Sequence, residues 1–180
     1  MHNDEPIAFL FTWSTYGVWL PGDPRGWVEY RHGFQLPDLM LELESAARMT
    51  EDACRLTHDQ RDLVEKQIEE TCRYKRWTLH AANCRTNHVH AVISGQAAPK
   101  LIREQLKAWC SRRLNEQQAA LLLPESELRT NWWGERGSIR WIFTEADLVA
   151  AIQYVRYEQD NPRRFMKSID AQPRTGKPDA

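Results

Sequence analysis

Two long stretches with a helical repeat alternate with short apolar runs, and few folds accommodate the resulting order. Leu63, Val64, Gln67, Ile68, Thr71 and Cys72 recur at helical spacing, which predicts a helix from Thr57 or His58 to about Lys75. Leu101, Ile102, Leu106, Trp109 and Leu114 form a second stripe, which predicts a helix from Pro99 to about Leu122, ended by Pro124. Ile7 to Thr15 is apolar and β-branched, as a buried strand would be. Trp77–Cys84 and Asn87–Ser94 read as an antiparallel hairpin, and Gly137–Phe143 as a further strand. The order is strand, helix, strand, strand, helix, strand. It implies an α+β, ferredoxin-like split βαβ fold: an antiparallel sheet with helices on one face. A last helix follows, N-capped by Thr144 with Asp147 at the capping-box position, and runs to about Asp160, where Asn161-Pro162 stops it.

A chain of 180 residues is long enough for one domain, expected here over residues 1–162. Tyr16–Pro37 holds four glycines and three prolines without a helical period. Residues 16–57 therefore read as a long loop or insertion, with a short helix at 38–49. Residues 163–180 are polar and expected to be a mobile tail. Cys54, Cys72, Cys84 and Cys110 show neither C-x-x-C nor zinc spacing and read as free thiols. The longest apolar stretches fall far below the ~18 residues of a membrane span, and the polar N-terminus is not a secretory signal. The expected location is the cytoplasm.

The net charge of −1 conceals an asymmetry. Residues 1–70 carry 14 acidic and 6 basic side chains, whereas residues 71–180 carry 11 acidic and 18 basic ones. A basic C-terminal part suits an anionic partner such as nucleic acid, although a solvated surface with a charge gradient has the same composition.

Asn87-His88-Val89-His90 is the most informative stretch. In a strand, His88 and His90 share one face while Val89 points to the other. Two neutral imidazoles so placed can reach one divalent ion, but a solvent-facing or structural pair looks the same. On the last helix, Leu148, Ala151, Ile152 and Val155 form the core stripe. Tyr154 and Glu158, one turn apart, share a flank off that stripe, and Tyr157 falls opposite the core. A surface tyrosine beside a glutamate would share this spacing.

Together, Asn87-His88-Val89-His90 in a strand and Tyr154-Val155-Arg156-Tyr157-Glu158-Gln159 on a later helix resemble the single-tyrosine HUH transposases. That family includes insertion-sequence transposases and REP-associated tyrosine transposases. The stretch Phe11-Thr12-Trp13-Ser14-Thr15-Tyr16-Gly17-Val18-Trp19-Leu20-Pro21-Gly22-Asp23 is similar to one bacterial branch of it, as are Trp77-Thr78-Leu79-His80-Ala81 and Leu106-Lys107-Ala108-Trp109. The likeness spans about residues 7–160.

The resemblance implies that His88 and His90 hold Mg²⁺ or Mn²⁺, with a third ligand from the last helix, and that Tyr154 attacks a DNA phosphate. Glutamine commonly stands four residues after the tyrosine in transposing members. Here that position is Glu158, and Gln159 follows; Glu158 is taken as the ligand because it shares the tyrosine's flank. The implied partner is single-stranded DNA near a hairpin, and a homodimer is common among transposing members.

A single strand needs cations and flat rings. Lys100, Arg103, Lys107, Arg112, Arg113, Arg129, Arg136 and Arg140 are candidates for phosphate contacts, and Trp132-Trp133 could stack bases or pack beneath its loop. Trp13, Trp77, Trp109 and Trp141 read as core. His2, His32, His58 and His80 read as incidental, with His80 notable for lying on the neighbouring strand. A non-catalytic nucleic-acid-binding module and a metal-dependent hydrolase using His88, His90 and Glu158 are the rival functions.

Overall fold

The computed structural model describes residues 5–29 and 31–158, the last of these through its backbone alone. The polar tail expected at residues 163–180 lies outside the described residues. Four strands, β1 (Ala8–Ser14), β4 (Thr78–Cys84), β5 (His88–Ser94) and β6 (Ser138–Ile142), form an antiparallel sheet in the order β4-β5-β1-β6. Helix α2 (His58–Lys75) connects β1 to β4, and α3 (Pro99–Ala120) connects β5 to β6. This is the split βαβ arrangement expected from the order of periodicities.

Local chemistry sets the ends of α2. The Thr57 hydroxyl accepts from Gln60 N–H and the Gln60 side chain returns to the Thr57 N–H, a complete capping box. Arg76 closes the helix in the left-handed conformation at φ 59°. Helix α3 starts with Pro99 in its first turn, where the missing N–H costs nothing. Both helices pack on one sheet face. Phe9, Phe11, Trp13, Val89, Ala91 and Ile93 meet Val64, Ile68, Ile102, Leu106 and Leu114 there. Each such large aliphatic or aromatic side chain contributes about 1.5–3 kcal/mol on burial. The four cysteines are buried free thiols.

Two residues of the expected α3 stripe, Leu101 and Trp109, are instead 49% and 38% exposed. Their share of the buried face passes to Arg103 and Lys107, which sit one position round from Ile102 and Leu106. Trp141 is also 46% exposed, on edge strand β6, with its ring edge-on to Phe9 at 5.1 Å.

The opposite sheet face divides in two. Ala8, Leu10, Ala81, Val92 and Ile142 make an apolar half, covered by α4 (Glu145–Gln153) and the π-helical segment Tyr154–Glu158 that continues it. Ala151 and Val155 are buried in this layer. A regular helix to about residue 160 was expected, but the chain switches to π geometry at Tyr154. The other half of the face is polar and carries the histidines.

The 16–57 segment contains more order than a loop. Strands β2 (Trp27–Glu29) and β3 (Gly33–Gln35) form a short hairpin, and α1 (Leu39–Ala47) follows with no buried residue. Strands of three residues are too short to show an alternating pattern, which is why the sequence reads as loop. Cys54 N–H to the Tyr16 carbonyl (2.8 Å) and Leu56 N–H to the Thr86 carbonyl (2.7 Å) tie the segment to the sheet. No helix among the described residues is long and apolar enough to cross a membrane.

Candidate active site

Strand alternation builds the first part of the site. Val89 is fully buried on the α2/α3 side, so His88 and His90 share the other face, their ring centroids 4.8 Å apart. The register gives His90 two cross-strand neighbours, Thr12 on β1 and Asn83 on β4, and Thr12 in turn faces Ser138 on β6. One polar row therefore crosses all four strands. Gly137 admits β6 at this point: at φ +153°, a Cβ there would collide with the Thr12 carbonyl oxygen.

Each imidazole is oriented by an oxygen. Asn87 Oδ1 lies 2.7 Å from His88 Nδ1. A carboxamide oxygen only accepts, so His88 Nδ1 carries a proton and donates it to Asn87. Thr12 Oγ1 and His90 Nδ1 share a second hydrogen bond of 2.7 Å. Burial pushes the His90 imidazolium pKa down to about 3, with the neighbouring His88 and Arg85 adding to the shift. His90 is thus neutral at ordinary pH, the form that can ligate a metal. An imidazole whose Nδ1 is held by an oxygen presents Nε2 to a cation.

Tyr154 supplies the third element. Its ring lies 5.5 Å from that of His90 at an 80° tilt. Burial raises the phenol above its ordinary value, and the Arg140 cation partly opposes this. Arg156 anchors the π segment by donating to the His80 carbonyl at 3.0 Å. That carbonyl belongs to a β-bulge, where the β4–β5 register shifts between Leu79 and Ala81. π segments and bulges both re-aim side chains and recur at functional sites. Tyr157 is 79% exposed, as its place opposite the core predicts.

His80 does not join the pair. Ser94 Oγ donates to the Ile7 carbonyl at 2.5 Å, so His80 Nε2 must donate to Ser94 Oγ, 2.8 Å away. The side chain of Glu158 and all of Gln159 lie outside the described residues, and with them the expected third ligand. Among the described residues no group of three or more His, Cys, Asp or Glu is placed to hold a metal.

Several candidate DNA contacts are corrected by burial. Lys107 Nζ donates to the carbonyls of Gly134 (2.7 Å), Glu135 (3.1 Å) and Arg136 (3.2 Å). Arg103 donates to the Gly137 carbonyl (2.6 Å) and pairs with Glu104 (2.9 Å). Both side chains belong to residues only 8% exposed, and they anchor the segment leading into β6. Arg129 pairs with Glu51 at 3.3 Å and donates to the Asp52 and Asn131 carbonyls. Trp132 is buried with Nε1–H on Asn115 (2.8 Å), and Trp133 is half-buried, edge-on to Trp13, with Nε1–H on the Lys107 carbonyl (3.1 Å). Trp132 therefore packs under its loop, while Trp133 keeps part of its surface exposed. Charge pattern alone could not show this, because it does not reveal which carbonyls a turn leaves unpaired.

The remaining cations separate by location. Lys100 is exposed on α3. Arg112 and Arg113 pair with Glu116 at 3.4 and 3.3 Å, and Arg112 lies over the Trp109 ring. All three belong to the helical layer across the sheet from His90. Arg136, exposed, and Arg140, half-buried, lie at or beside β6. A cleft of about 660 Å³ lined by Met49, Glu51 and Arg129 lies elsewhere, and Glu51 and Arg129 close on each other there.

Two consequences are testable. Lys107→Met leaves three turn carbonyls without their donor and should cost about 1–3 kcal/mol in urea unfolding. An unfolding midpoint equal to wild type would return Lys107 to the candidate DNA contacts. His90 titrates near 3 in the fold but near 6.5 when unfolded, so the unfolded chain binds more protons between those values. Metal-free stability should therefore be full above about pH 6.5 and fall as pH drops toward 3. Melting at pH 7 and at pH 4.5 should show a larger loss for wild type than for His90→Gln.

Comparison with protein families finds no match, and comparison with curated proteins finds none. Among solved structures, a candidate transposase from Deinococcus radiodurans R1 is similar, with a TM-score of 0.44 and 14% identity over 88% of this chain and 95% of that one. A REP-associated tyrosine transposase bound to a REP hairpin is also similar, with a TM-score of 0.49 and 13% identity over 94% of this chain and 75% of that one. Both are described as transposases.

Proposed function

We propose that this protein cleaves and rejoins single-stranded DNA near hairpins, as a transposase or a domesticated relative. One observation carries the proposal: two oriented imidazoles, at least one held neutral, share a sheet face with a tyrosine whose ring contacts one of them. A structural histidine pair needs no such phenol, and a binding module needs neither.

Tyr154 is the nucleophile. Its oxygen forms a bond to phosphorus as the bond from phosphorus to the 3′ oxygen breaks. The products are a 5′-phosphotyrosine and a free 3′-hydroxyl: the phenol releases its proton to solvent as its oxygen bonds to phosphorus, and the departing 3′ oxygen takes one up. The covalent bond conserves the phosphodiester energy, so a second 3′-hydroxyl can be joined without ATP. His88 and His90 would hold Mg²⁺ or Mn²⁺ through Nε2, with Glu158 as third ligand; two nitrogens and a carboxylate suit Mn²⁺ and tolerate Mg²⁺. When bound, that ion supplies Lewis-acid polarisation of the phosphate. Thr12 and Asn87 orient the two imidazoles through Nδ1, and partial burial raises the Tyr154 phenol above its ordinary value.

The test is covalent capture. Purified protein is mixed with a labelled pool of single-stranded hairpin oligonucleotides and Mn²⁺ or Mg²⁺, then resolved on a denaturing gel. A protein–DNA band that chelator removes is expected. DNA binding without a band would favour a binding module, and release of cleaved DNA with no covalent species would favour a hydrolase.

A further inference from the structure

We propose that Arg140 is a further catalytic residue, whose guanidinium grips the scissile phosphate beside Tyr154 and takes up the charge that builds on the phosphoryl oxygens. The inference rests on the phosphotyrosine reading and adds to it the group that stabilises the transferring phosphate.

The sheet register places Arg140. Ser138 faces Thr12, and Thr12 faces His90, so Ser138 stands in the polar row. Residues two apart on a strand share a face, so Arg140 is on the His90 side, one row along, opposite Leu10. Leu10 is opposite Val92 on β5, and Tyr154 packs against the cluster that holds Leu10, Val92 and Val155. The tyrosine therefore lies on the same side of the sheet as Arg140, its segment packed over β4 and β5. Its contact with the His90 ring reaches the next row.

The other cations are placed for other work. Arg103 and Lys107 are committed to turn carbonyls, and Arg112 and Arg113 belong to the helical layer across the sheet. Among the described residues, Arg140 is a cation of the sheet whose register delivers it to the tyrosine's face. A guanidinium stays charged at any working pH, so it cannot take the phenol proton. Its planar fork can instead engage two phosphate oxygens at once. Half-burial strengthens that interaction over one made in open water. In the transfer, the Tyr154 oxygen–phosphorus bond forms, the phosphorus–3′ oxygen bond breaks, and Arg140 leaves the step unchanged.

Single-turnover adduct formation on a captured hairpin oligonucleotide tests this, with hairpin affinity measured in parallel. Arg140→Ala should slow adduct formation roughly 10²–10³-fold, the usual cost of one lost transition-state donor, while affinity falls less than about tenfold. Arg140→Lys keeps the charge but loses the fork and should fall between the two. An unchanged adduct rate in either variant overturns the inference. So does a rate that falls only as far as affinity, the mark of a simple backbone contact. Should Arg140→Ala fail to fold, Arg140→Lys with wild-type melting carries the same test. A wild-type protein that forms no adduct defeats the phosphotyrosine reading and this inference together. A Tyr154-dependent adduct that forms at full rate without Arg140 defeats only the inference.

Discussion

Replacing Tyr154 by phenylalanine is expected to abolish the covalent protein–DNA species, a loss of about 10⁴-fold or more, as for other enzymes stripped of their nucleophile. The change removes one oxygen and leaves the ring packed beside His90, so melting temperature and hairpin binding should stay near wild type. Tyr157→Phe should keep the band, because that side chain is 79% exposed. The two variants differ by the position of one phenol on one helical segment, so general damage to the fold cannot imitate the contrast. Cleavage that survives Tyr154→Phe would sink the covalent mechanism and move a hydrolytic role for the histidines to the front.

The sequence exposed those three residues through their periods. His88 and His90 were legible because a two-residue repeat fixes which side chains share a face. Tyr154 was legible because it lies off the stripe made by Leu148, Ala151, Ile152 and Val155. Their mutual approach was not legible, since it depends on α4 crossing the sheet on the face opposite α2 and α3. Thr12 carried a detectable signal: it breaks the apolar series of Ala8 and Leu10 on one face of a strand whose other face, Phe9, Phe11 and Trp13, is core. Asn87 carried one too, as the polar neighbour just before the pair. Charge was the poor guide. Arg103 and Lys107 resemble solvent-facing cations in sequence, yet turn carbonyls near Gly137 draw both inward. Bulge and π geometry, which place Arg156 on His80, leave no periodic trace.

The second large effect belongs to His90. If His88 and His90 hold the ion, His90→Ala removes one of the two nitrogen donors and should weaken Mn²⁺ binding by more than the roughly 10–100-fold that loss of a residue orienting a ligand costs. Thr12→Val, which deletes only the oxygen held by His90 Nδ1, should fall within that 10–100-fold range. Mn²⁺ titration followed by electron paramagnetic resonance reads both without DNA or turnover. The order of the two variants matters more than either value: a ligand must cost more than the residue that orients it. Equal losses would mean that Thr12 shapes the site as a whole and that His90 is not itself a ligand. Unchanged Mn²⁺ affinity in His90→Ala, with adduct formation lost, would assign the imidazole to the phosphate or to the phenol it touches.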